Sequence, residues 1–194
     1  MINALKKHPL GFLFLILTAV FIAAMVFSRS FFDWAFERHQ NQWSWYLRPL
    51  FLLPYAFFAY KRNFSGMMAS VFALFTSMCW FNVPDQVSEQ ALEFLKFEQD
   101  YLQSEWGMGK ALLMLTVPLT FWALGLAFWR RSLLMGGVVM AVVAVAKIAW
   151  SIVNAQEAGA SIVVPALTGL AISAGILFAV SRFLKSKNRV KDNF

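Results

Sequence analysis

Two cations stand inside otherwise apolar runs: Arg48 in WYLRPLFLLPYAFFAY and Lys147 in SLLMGGVVMAVVAVAKIAWS. A cation at the centre of a spanning helix costs roughly 2.5–3.5 kcal/mol on insertion scales. Such residues therefore face the bundle interior or a water-filled cavity and have a partner. The chemistry on offer is the binding of an anion, so Arg48 and Lys147 are the predicted ligand-binding residues. The predicted counterions are acidic residues near the same ends of these runs: Glu98 first, then Glu37, with Asp33, Glu105 and Glu157 also available. A bound anionic ligand or a lipid phosphate would serve the same purpose. The plainer reading is that both cations snorkel or pair internally and only fix the fold.

Other chemistry is poorly represented. There is no phosphate loop, HExxH, nucleophile elbow, haem motif or cysteine pair, so no catalytic residue is assigned and no cofactor is expected. The one cysteine, Cys79, lies in an apolar run and reads as a small buried hydrophobe. Asp33, Glu37 and His39 invite a metal reading, but helical spacing puts only Asp33 and Glu37 on one face. The second histidine, His8, belongs to the other side of the membrane, and no metal site is expected. Lys147 as a Schiff-base lysine would call for a seven-helix retinal protein, whereas six spans are drawn here.

The elements that must position Arg48 and Lys147 follow from composition. Of 194 residues, 60% are hydrophobic and 14% charged, against about 25% charged in soluble domains. This predicts an all-α, polytopic integral membrane protein forming a single domain, with spans at about 10–28, 45–60, 65–82, 109–129, 132–151 and 161–183 and a basic tail over 184–194. The second span is short for a core of roughly 30 Å. Lys6, Lys7, Lys61, Arg62, Arg130, Arg131 and the tail cations fall on one side of the membrane, and Arg29, Arg38, Lys96 and Lys110 on the other. By the positive-inside rule, both termini are cytoplasmic. The net charge of +7 is thus a topology signal, and nucleic acid is not an expected partner.

Two connectors are too aromatic or too patterned for plain loops. SRSFFDWAFERHQNQWSW is expected along the outer interface, partly helical. Residues 85–106 are expected to form an amphipathic helix on the outer surface, N-capped by Asp85. Its apolar stripe includes Phe94, Leu95 and Leu102, and Glu98 falls within it. The second and fifth spans each carry one cation at similar depth, an arrangement an inverted repeat of three plus three helices would produce, although the halves share no residue-level similarity.

The function expected from this pattern is binding or transport of an anionic or amphipathic small molecule or lipid at an outer-leaflet polar site, in a small inner-membrane protein of bacterial type. An accessory or scaffold subunit is the alternative, covered by a partner subunit or a second copy of the chain. An intramembrane lipid-modifying enzyme is the third reading. Membrane lipids are partners in each.

Overall fold

The computed structural model describes residues 8–192, with side-chain surroundings up to residue 186. Lys6, Lys7 and the tail side chains beyond 186 lie outside that description. Every regular element among the described residues is helical.

Helix α1 (Pro9–Phe27) starts on a proline, whose missing N–H costs nothing at a helix start. It packs along α5 (Phe64–Thr76), with the Phe14 and Phe72 rings 5.8 Å apart. Helix α2 (Arg29–His39) follows at once, N-capped by Ser28, whose Oγ accepts from the Phe31 N–H. Helices α3 (Trp43–Leu50) and α4 (Leu52–Tyr60) are one rod with a tightened turn at Phe51. Pro54 there cannot donate to the Leu50 carbonyl, and the Phe51 N–H bonds the Arg48 carbonyl in a three-residue turn instead. After α5, the chain passes through a 3₁₀ turn, Ser77–Cys79, which ends the expected third span three residues early.

Helix α6 (Glu89–Gln103) is the amphipathic element. Its N-cap is Ser88, whose Oγ accepts from the Ala91 N–H, and not Asp85, which lies upstream of the helix start. Ala91, Phe94 and Leu95 are buried as the stripe requires, but Leu102 is exposed. The last turn is anchored by backbone instead, because the Lys110 ammonium donates to the Leu102 and Ser104 carbonyls at 2.8 and 2.7 Å. Lys110 is itself only 6% exposed and neutralises the negative end of the helix dipole.

Helices α7 (Met108–Trp129), α8 (Leu133–Gly159) and α9 (Val163–Asp192) complete the chain. The expected fifth span is longer than drawn, and the tail continues α9 as helix to Asp192. Gln156, at φ 49°, breaks the helical path and turns the chain back. A Cβ on Gly159 would come within 2.1 Å of the Ser151 carbonyl, so only glycine permits this reversal. Helix α9 then returns along α8 and reaches α3, where Gly169 admits the Pro49 ring.

Three stretches are long and apolar enough to cross a membrane: α1, α7, and the α8–α9 stretch up to Ser186. The buried residues form two separate cores. One, at what we term the capped end, joins α2, α3 and α6 around Phe36, Trp45 and Phe94. The other joins α4, α5, α7 and α8 around Tyr55, Leu124 and Phe128. The end beyond this second core holds the α4–α5 and α7–α8 turns and is termed the basic end.

Two of the turns share a local likeness. The α4–α5 turn (Tyr60, Lys61, Arg62, Asn63) and the α7–α8 turn (Trp129, Arg130, Arg131, Ser132) have the same backbone hydrogen bonds. Asn63 N–H bonds the Phe58 carbonyl and Ser132 N–H the Ala127 carbonyl, while Arg62 and Arg131 N–H bond Ala59 and Phe128. In each turn, the next residue caps the following helix, Asn63 through Gly66 N–H and Ser132 through Met135 N–H.

Candidate functional site

The site is built where α2 ends and α3 begins. The chain turns over residues 40–42, which folds the His39 ring back beside the first two turns of α3. The Trp45 indole N–H donates to the His39 carbonyl at 2.9 Å and locks this return. The imidazole is 5% exposed and lies between the Phe36 ring, 6.2 Å away, and the Trp45 ring, 5.9 Å away.

The hydrogen bonds define the protonation state of His39. Ser44 Oγ has one proton and donates it to the Asn41 carbonyl at 2.8 Å. His39 Nδ1, 2.8 Å from the same Oγ, must therefore be the donor to it. The Arg48 guanidinium, a donor only, points Nη1 at Nε2 from 3.1 Å, so Nε2 holds a lone pair. The ring is neutral, protonated on Nδ1. Its surroundings agree: burial above all, then the cations of Arg48 and Lys147, hold its pKa well below the ordinary 6.5.

Arg48 is partly buried, and its hydrogen bond goes to this neutral ring. Among the described residues, no carboxylate lies within 4.0 Å of it, so the expected acidic partner is not Glu98, Glu37, Asp33, Glu105 or Glu157. Glu98 pairs with Lys147 instead, Oε1 to Nζ at 2.6 Å. Phe94, one turn before Glu98 on α6, packs against Trp45, with ring centres 5.9 Å apart. Lys147 lies over the Phe94 and Trp150 rings at 5.5 and 5.0 Å. It was expected to face inward, but its side chain is 47% exposed at the seam between α6 and α8.

The other acidic candidates lie apart from Arg48. Asp33 pairs with Arg29 one helical turn away at 3.0 Å, and Glu37, Glu105 and Glu157 are exposed. Glu157 contributes only its carbonyl, which accepts from Gln90 Nε2 at 3.0 Å. No group of three metal-ligating side chains occurs among the described residues. A groove of about 420 Å³ runs along α6 past Glu93, Phe97 and Tyr101 and does not include Arg48.

In the sequence, His39 stands out only beside Asp33 and Glu37, as one of three residues that invite a metal reading. Its importance depends on the backbone turn after α2, and residue spacing along one helix gives no sign of that. Comparison with protein-family models, with curated proteins and with solved structures finds no match for this chain.

Proposed function

We propose that the chain is a six-span protein of a bacterial inner membrane, with both termini cytoplasmic, and that it binds an anionic or amphipathic small molecule or lipid through Arg48 beneath its outer, capped end. The observation that carries this reading is the guanidinium whose protein partner is a neutral imidazole. A partly buried arginine ordinarily has a carboxylate partner, because an unpaired charge in low dielectric is costly. Here Arg48 keeps its positive charge uncompensated at short range, and its nitrogens that lack a protein partner retain contact with solvent. With Lys147 and Glu98 neutralising one another, the cluster carries one net positive charge, suited to a single phosphate or carboxylate. The six-span topology is supported by the alternation of basic connectors, with α3–α4 and α5 as the shorter crossings.

Hydrolysis is disfavoured by the direction of the Ser44 hydrogen bonds. A serine nucleophile gives its proton to the imidazole, whereas here the imidazole donates to the hydroxyl. The scaffold reading draws on one observation, the exposure of Leu112, Leu115 and Leu119 along the first half of α7.

The test is a melting series of the detergent-purified protein with dodecyl phosphate against neutral dodecyl maltoside. The phosphate amphiphile is expected to raise the melting temperature of the wild type and to leave Arg48→Gln unmoved. An equal rise in both proteins would overturn the assignment.

A further inference from the structure

The basic end carries a second site, distinct from the one at Arg48. We infer that the paired turns form a binding site for an anionic phospholipid, with its phosphate held by Arg62 and Arg131 and an acyl chain laid along the seam of α4 and α7.

The first observation is reciprocity. Arg62 Nε donates to the Trp129 carbonyl at 3.4 Å, and the Arg131 guanidinium stands over the Tyr60 ring at 5.7 Å. Tyr60 and Trp129 occupy equivalent places in the two turns, as do Arg62 and Arg131, so each arginine reaches across to the other hairpin. This is the pattern that a local two-fold relation generates, and it brings both arginines to one junction.

The second observation is conformational. Arg62 and Arg131 have φ of 54° and 61°, the left-handed position after a helix that glycine normally takes. Both positions hold an arginine despite the strain that a side chain incurs there. Lys61 and Arg130 precede them, and all four side chains are exposed. Neither ion pair among the described residues involves any of the four. Nine of the ten acidic residues belong to segments 33–37, 85–105 and 157, and the tenth, Asp192, is near the C-terminus.

The third observation distinguishes a lipid from a free anion. An apolar groove of about 330 Å³ is lined by Tyr55, Met67, Trp122, Gly125, Leu126 and Trp129. It is continuous with the charged junction, because Trp129 lines the groove and its carbonyl accepts from Arg62. Basic clusters at the ends of membrane helices bind lipid headgroups, and a phosphate above an acyl-sized groove fits this arrangement.

The experiment uses the full chain in nanodiscs of phosphatidylcholine, with lipid retention read by native mass spectrometry as phosphatidylglycerol is titrated in. Arg62→Gly with Arg131→Gly is the decisive variant, because glycine relieves the backbone strain while removing the charge, so a folding defect is not the expected result. The double variant is expected to keep or raise its melting temperature and to bind phosphatidylglycerol about thirtyfold more weakly, since each surface cation contributes roughly a factor of five. Arg48→Gln, which belongs to the other site, is expected to retain the lipid as the wild type does. Unchanged retention in the double variant would overturn the inference. So would equal loss of phosphatidylcholine, or competition by inorganic phosphate as effective as by the lipid.

Discussion

The two ends of this molecule treat their charges in opposite ways. At the capped end, four cations have specific protein partners: Arg48 has the neutral His39 ring, Lys147 has Glu98, Lys110 has two helix carbonyls and Arg29 has Asp33. At the basic end, Lys61, Arg62, Arg130 and Arg131 have no acidic partner within reach among the described residues. The capped end is a small folded layer with its own aromatic core, which holds these four cations beside their partners. The basic end is a pair of tight turns, in which charge is displayed. The difference separates two uses of arginine, one as a buried donor in a network and one as a surface field.

The comparison breaks most directly at Phe94, which is 2% exposed and joins Trp45 on one side to Lys147 on the other. Phe94→Ala is expected to cost about 3–5 kcal/mol in reversible unfolding, as large-to-small changes in aromatic cores do. If the capped end were a loose lid and not a packed layer, the loss would be far smaller.

Acid is the next perturbation. His39 has its folded-state pKa below the unfolded value of 6.5, so its contribution to stability is fully present above that pH. It is lost as pH falls from there through the lowered folded value, where the buried ring must take a proton beside Arg48 and Lys147. Melting temperature measured against pH is therefore expected to fall on the acid side of 6.5 in the wild type, and a His39→Gln variant should lack that component. Identical profiles would mean that the imidazole is not held neutral by this network.

Lys110→Met tests whether the capped end depends on helix capping. It leaves the Leu102 and Ser104 carbonyls without their donor, at an expected cost of about 1–3 kcal/mol. Hydrogen exchange should rise first in the last turn of α6, and protection that stays uniform would contradict the capping role.

The smallest effects sharpen the contrast through their signs. Glu98→Gln weakens a pair that is half open to solvent and is expected to cost at most about 1 kcal/mol. Arg62→Gly, at the other end, is expected to stabilise by about 1 kcal/mol by relieving a left-handed backbone. Chemical denaturation of the two variants in one detergent measures both. A destabilised Arg62→Gly would mean that the guanidinium contact with Trp129 outweighs the strain.

Much of the architecture was legible in the chain itself. Apolar runs of about 20 residues bounded by charge give α1, α7, α8 and α9, because a span of bilayer length has few other solutions. The stripe of Ala91, Phe94 and Leu95 gives the amphipathic α6, because a helical face of that kind must be buried against something. Two further elements were less legible. The α3–α4 rod is tightened at Phe51 by Pro54, and α5 ends in a 3₁₀ turn.

The partner of each charge was not legible, and the physical reason is geometric. Sequence alone determined that Arg48 and Lys147 needed neighbours, since the cost of a charge in an apolar run depends only on its type and place. It also determined that most of the acidic residues lie in the segments 33–37 and 85–105. Only the tertiary structure decided the pairing, because helix packing sets Glu98 Oε1 2.6 Å from Lys147 Nζ while the turn after α2 brings His39 Nε2 within 3.1 Å of Arg48. A hydrogen bond depends on angstroms and on the direction of a proton, and residue types along a chain specify neither until the helices have packed.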